Sequence, residues 1–136
     1  GYWSSLVVTE HWADGKANYR EFINKTWIDD FKGSAIQVCA LGEAGKELEI
    51  DYEEAKSEEP FWFLPSIVAL RCFLKQDKDN TDANIERGKF YWSSNSASYY
   101  KNALATKIDR SGNVDDDYYR ENKENAYYAR QACHAQ

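Results

Sequence analysis

Methionine is absent from this 136-residue chain, and proline (2), histidine (2) and cysteine (3) are scarce. With so little proline and only 7 glycines, collagen-like and linker compositions are excluded. Three cysteines close at most one intramolecular bridge, which rules out a dense disulfide scaffold and a four-cysteine zinc site. No apolar run reaches the roughly 18 residues that a membrane-spanning helix requires. Positive charge is also in the minority, 17 basic residues against 23 acidic, for a net charge of −6. Binding to a phosphate backbone needs clustered Lys and Arg, so nucleic acid is not an expected partner. A chain that starts Gly1-Tyr2-Trp3 without methionine reads as processed or trimmed, the way in which targeting or anchoring segments are commonly removed. The expected setting is therefore outside the cytoplasm, in a membrane-tethered protein. On that reading residues 1–13 are membrane-proximal or a linker; Tyr2, Trp3 and Trp12 would suit an interfacial aromatic belt, but packing on the domain itself is the expectation placed ahead of it.

What the chain has in quantity is apolar and aromatic material. Hydrophobic residues make up 43% of it, and 5 Trp, 10 Tyr and 6 Phe bring the aromatics to 15%. That is ample for one folded core and contrary to a disordered tail. Asp14 caps an expected helix over 16–31, with Tyr19, Phe22, Ile23, Trp27 and Phe31 on one face. The apolar run 35–41 reads as a strand, and 47–53 alternates strictly between acidic and apolar residues. Together they predict a hairpin over 35–53, with Leu48, Ile50 and Tyr52 facing the core. Residues 67–74, which follow Pro65 and start β-branched, are read as a third strand, and 89–93 as a fourth pairing back on it. A helix starting at Ser96 or Ser98 carries Tyr100, Ala103, Leu104 and Ile108. Asp115, Asp116 and Asp117 open a peripheral helix over 115–136. The fold class expected is α+β: an antiparallel sheet of about four strands, an N-terminal helix and two C-terminal helices, the helices segregated to one face.

Motifs that carry chemistry are few. There is no G-x-S-x-G, P-loop or H-E-x-x-H, and His11 and His134 sit near the chain ends without metal-ligand spacing. Asp109, Ser111, Asn113, Asp115 and Asp117 alternate as calcium ligands do. The turn glycine is misplaced, however, and Arg120 stands where the closing Glu belongs. No catalytic residue, metal or cofactor is expected. Three other features remain. Residues 1–68 hold 13 acidic and 6 basic residues, and the wet hairpin face Glu47, Glu49, Asp51 and Glu53 reads first as a solvated strand face that resists edge pairing, and alternatively as a docking face for a basic protein. Trp62, Tyr91, Tyr127 and Tyr128 are the aromatics to line a small-ligand site, as stacking platforms do in carbohydrate-binding modules. The three cysteines are expected to stay reduced; the alternative is one bridge, with Cys72 and Cys133 as the pair, stapling the C-terminal helix to the sheet. The reading these support first is a non-catalytic recognition domain for a protein or small ligand. An acidic inhibitor or immunity-type protein against a basic toxin or nuclease comes second, and a small hydrolase third.

Overall fold

A computed structural model describes residues 3, 8–26, 34–40, 62–76, 85–115 and 117–130 of the chain. They form three helices, α1 (Gly15–Lys25), α2 (Ala35–Ala40) and α3 (Ile67–Gln76). Three strands follow, β1 (Lys89–Ser96), β2 (Asn102–Ile108) and β3 (Tyr119–Asn122). The strands make an antiparallel sheet in the order β1-β2-β3, so the fold is α+β.

α1 begins as its sequence dictates: the Asp14 side chain accepts the Ala17 N–H at 3.0 Å. Tyr19, Phe22 and Ile23 are buried, and the helix closes when the Thr26 N–H donates to the Phe22 carbonyl. Its end at Lys25 falls short of the expected 31; Trp27 and Phe31 lie outside the described residues. Gly15 is required by packing. A Cβ there would sit 2.7 Å from the Leu64 carbonyl oxygen and 2.9 Å from the Phe63 ring.

Four expectations are corrected. Residues 35–40 are helical, not a strand: the Ser34 hydroxyl accepts the Gln37 N–H at 3.1 Å, and Ala35, Ile36 and Cys39 are buried at helical spacing. The hairpin over 35–53 is therefore lost in its first arm, and its second arm lies outside the described residues. Residues 67–76 are also helical. Ser66 accepts the Ala69 N–H, and Ile67, Leu70 and Leu74 face inward with a period near 3.6. Residues 102–108, expected as helix, are strand β2, reached through a tight reversal in which the Asn102 N–H donates to the Tyr99 carbonyl. Residues 119–122, expected within the last helix, form the short strand β3. Accordingly β1, expected over 89–93, runs to Ser96 and pairs with β2 rather than with 67–74.

Alternation on β1 and β2 sorts the core into two faces. Trp92 stands opposite Ala105, and with Ala103 beside it the small side chains leave room for the indole. Phe22, Ile23 and Ile36 of α1 and α2 pack on that face. Tyr91, Leu104 and Ile108 point the other way, onto Leu70, Leu74 and Ile67 of α3. Helices thus cover both faces, not one as expected. A sheet this small with two buried faces cannot show the clean wet/dry alternation of an exposed sheet.

The outer edge of β1 is paired by three separate segments. Tyr128 bridges Tyr91 in parallel; the Ser94 N–H donates to the Pro65 carbonyl; the Ser96 N–H donates to the Thr9 carbonyl. Between Trp92 and Ser96 the register with β2 slips, and this bulge is built from four consecutive buried polar residues. The Ser93 hydroxyl donates to the Leu104 carbonyl, Ser94 Oγ accepts from Asn18, and Ser96 Oγ accepts the Thr9 N–H. Asn95 accepts the first N–H of α3, from Ile67, at 2.8 Å and donates to the His11 carbonyl at 3.0 Å. Trp3 Nε1 donates to the Ser93 carbonyl, and Trp3 is buried against Phe22. Trp3 and Thr9 therefore belong to the packed core, not to an exposed linker or aromatic belt; Trp12 is exposed, against Tyr118.

Asn95→Ala leaves the Ile67 N–H and the His11 carbonyl without this partner. Urea denaturation is expected to show a loss of about 2–4 kcal/mol with an unchanged m-value. A loss below about 0.5 kcal/mol would mean that water replaces both bonds.

Candidate aromatic cleft

The start of β1 and the segment 126–128 enclose an open cleft of about 260 Å³ lined by Gly88, Lys89, Phe90, Ala126, Tyr127 and Tyr128. The parallel bridge holds its two walls together. The Trp92 N–H donates to the Tyr128 carbonyl at 2.8 Å, and the Tyr128 N–H to the Phe90 carbonyl at 3.1 Å. Neighbouring side chains leave this bridge on opposite sides of the sheet. Tyr127 stacks on Phe90 (centroids 4.8 Å, planes 22° apart) and leans on Trp92, whereas Tyr128 lies by Tyr91 at 5.6 Å. Phe90 also takes the edge of Tyr119 at 5.2 Å. Gly88 has φ of +76°, open to glycine without strain, and Arg110 lies across it: Cγ is 3.2 Å from where a Cβ would stand.

Three of the four aromatic residues singled out from sequence meet here, with unequal roles. Tyr127 and Tyr128 are walls. Tyr91 is buried behind them, its hydroxyl accepting the Glu86 N–H, and burial raises its phenol above the ordinary range. Trp62 is half-buried and is not one of the cleft residues. Sequence reasoning missed Phe90 and Lys89 as cleft residues. The available signal was the alternation of Lys89, Phe90, Tyr91 and Trp92, which puts the first members of the strand at its open end. Tyr128 is 41% exposed, and the Glu86 carboxylate that accepts its hydroxyl raises its pKa. Burial raises that of Tyr127, aided by Glu121.

The remaining candidates resolve differently. Glu47, Glu49, Asp51 and Glu53 lie outside the described residues, as does Cys133. Cys72 is exposed and free on α3. Cys39 is buried, and desolvation pushes its thiol up to about 12. The alternating carboxylates of 109–117 serve their own turn: Asp109 accepts the N–H groups of Ser111 and Asn113, Asp115 accepts the Tyr119 hydroxyl, and Asp117 accepts the Tyr118 N–H. Among the described residues no group of three His, Cys, Asp or Glu is placed to hold a metal ion, and no helix is long and apolar enough to cross a membrane. Lys123 is 4% exposed, with Nζ 4.5 Å over the Trp3 ring, and burial lowers its pKa to about 8.

Two outcomes follow from these environments. Iodoacetamide on the native protein at about pH 8, where an ordinary thiol is partly ionised, should label Cys72 and spare Cys39, with peptide mapping as the readout. Equal labelling would mean that α2 opens readily. For Lys123, folded and unfolded chains are both charged below about pH 8, so its burial cost is present in full there. Between about 8 and the ordinary 10.5 the unfolded chain binds the extra proton, and the cost falls as pH rises. Lys123→Met should therefore stabilise the protein near neutrality, with its advantage over the unsubstituted protein shrinking towards about pH 10 in thermal denaturation. A constant difference would place the ammonium in water.

No protein-family model matches the chain, and no curated protein or solved structure matches it.

Proposed function

We propose that the chain is a non-catalytic recognition domain whose aromatic cleft takes one ring of a small ligand, a saccharide. The proposed setting outside the cytoplasm, in a membrane-tethered protein, rests on the sequence reading alone. The observation that carries the ligand reading is the outward-facing Tyr128 ring beside the packed Phe90–Tyr127 pair. Phe90 and Tyr127 already stack on each other, so they leave no slot between parallel rings for a planar aromatic guest. Tyr128 instead offers a flat apolar surface of the kind that covers the C–H face of a pyranose, with its polar tip at Glu86. A cleft of about 260 Å³ is smaller than the roughly 300–1,000 Å³ of drug-sized ligand sites, which suits one ring and little more. The walls are set by backbone bonds and buried neighbours, so the surface is formed before any ligand arrives.

Ligand-observed NMR against a panel of mono- and disaccharides provides the test. Binders are expected, and Tyr128→Ala should weaken them roughly three- to tenfold, the worth of one aromatic contact. The backbone bonds of residue 128 remain in that variant, so the circular dichroism should not change. An empty screen, or binders indifferent to Tyr128→Ala, would overturn the reading.

A further inference from the structure

The exposed ring of Tyr128 is framed by residues from β1 and the segment just before it. Lys89 and Tyr91 are two apart on the strand, so their side chains leave it on the same face. Tyr128 lies on that face with them. Its ring is 5.6 Å from that of the buried Tyr91, and Lys89, at the start of the strand, holds Nζ 5.8 Å from its centroid. Glu86 meets the hydroxyl tip, where the Tyr128 O–H donates to its carboxylate. Glu86 is itself anchored, because its backbone N–H donates to the Tyr91 hydroxyl at 2.9 Å. One residue thus joins the hydroxyls of both tyrosines. Its exposed side chain stands at the rim of the cleft rather than in its wall.

This arrangement fixes the hydrogen-bonding sense of the rim. A carboxylate has two oxygens and no proton to give, so it only accepts, and it can accept from more than one donor. The Tyr128 hydroxyl directs its one hydrogen to Glu86, which leaves the phenol oxygen as an acceptor as well. A lysine ammonium is the reverse, with three donors and no acceptor. A ligand lying on the ring therefore meets acceptors at the phenol tip and a donor at the strand end. A sugar hydroxyl suits either place, since it both donates and accepts. A carboxylate or an ether oxygen at the tip would face acceptors and make no bond there.

We infer that the cleft selects a neutral pyranose with free hydroxyls: its C–H face lies on Tyr128, one hydroxyl donates to the Glu86 carboxylate, and another accepts from Lys89. Glu86 is then the specificity-determining residue, and Tyr91 is the residue that positions it. The inference rests on the saccharide reading above and adds the polar groups that the ligand must carry.

The experiment titrates the whole chain by NMR with methyl β-D-glucoside, methyl β-D-galactoside and methyl α-D-mannoside. The tightest binder of the three is then followed by its monodeoxyfluoro analogues. Each analogue exchanges one hydroxyl for fluorine, which is similar in size and cannot donate. One position should lose about tenfold in affinity, the worth of one hydrogen bond to a charged group. Glu86→Ala should weaken the parent sugar by the same factor and bring that analogue to within about twofold of it. Because Glu86 is exposed, the circular dichroism of that variant should not change. Lys89→Met should weaken the parent about threefold or more and keep the loss at the same position. If no fluorine matters while Tyr128→Ala still weakens the parent, the saccharide reading stands and the present inference is overturned. A loss that persists undiminished in Glu86→Ala overturns it too, because the hydroxyl then donates elsewhere. An affinity unchanged in Lys89→Met overturns the role given to the lysine. If none of the three parents binds at about 10 mM, both readings fall.

Discussion

Four polar side chains buried in one strand organise this molecule. Ser93, Ser94, Asn95 and Ser96 occupy the bulge of β1 and are nearly free of solvent. Buried polar groups are tolerable only when bonded, and an unmade bond at such a site costs about 1–3 kcal/mol. Each side chain here is satisfied by a different part of the chain: Ser93 by β2, Ser94 by Asn18 on α1, Asn95 by the start of α3 and by His11, Ser96 by Thr9. The geometry of these five bonds thus specifies where the N-terminal segment and two helices must dock. Apolar packing alone is non-directional and would not set those positions.

The same strand divides into two regimes. Its second half is polar, bulged and enclosed. Its first half, Lys89 to Trp92, is aromatic and regular, and among the described residues its outer edge is closed by the short bridge to Tyr128. An exposed strand edge is ordinarily a liability for pairing with other chains. Here residues 126–128 cover it with backbone bonds while leaving a cleft beside them. Covering the edge and building the cleft are one arrangement. The wall residues consequently gain rigidity from the sheet rather than from a loop, as a binding surface requires.

Legibility differed by element for definable reasons. The cap of α1 and its Tyr19, Phe22 and Ile23 stripe could be read directly, because capping and a 3.6-residue period are local properties. β1 was recognisable from its aromatic run. Residues 35–40 and 67–76 were read as strands because short apolar runs are ambiguous by period. The local signals that decide them, Ser34 with Gln37 and Ser66 ahead of Ile67, Leu70 and Leu74, were present and outweighed by β-branched content. Residues 102–108 erred the opposite way. Their alanines favour helix intrinsically, but the strand needs small side chains opposite Trp92, a demand made by a residue eleven or more positions away. Of the cleft, Tyr127 and Tyr128 were readable as aromatics without a place in a helical stripe. Lys89 gave no such signal.

By itself, then, the sequence determined the inventory: an aromatic-rich α+β chain, a capped first helix, an aromatic strand, and tyrosines near the C-terminus left over from the core. Tertiary structure decided what those residues do. It made α2 and α3 helical by giving their apolar faces a sheet to cover, and it placed helices on both faces because Trp92 and Tyr91 point in opposite directions. It set Tyr127 and Tyr128 against Phe90 and Tyr91, some 37 positions earlier in the chain. Periodicity and capping act within a few residues and are written in the local sequence. Which distant side chains share a cleft depends on strand pairing and on the bonds of a buried bulge that acquire their partners only when the chain folds.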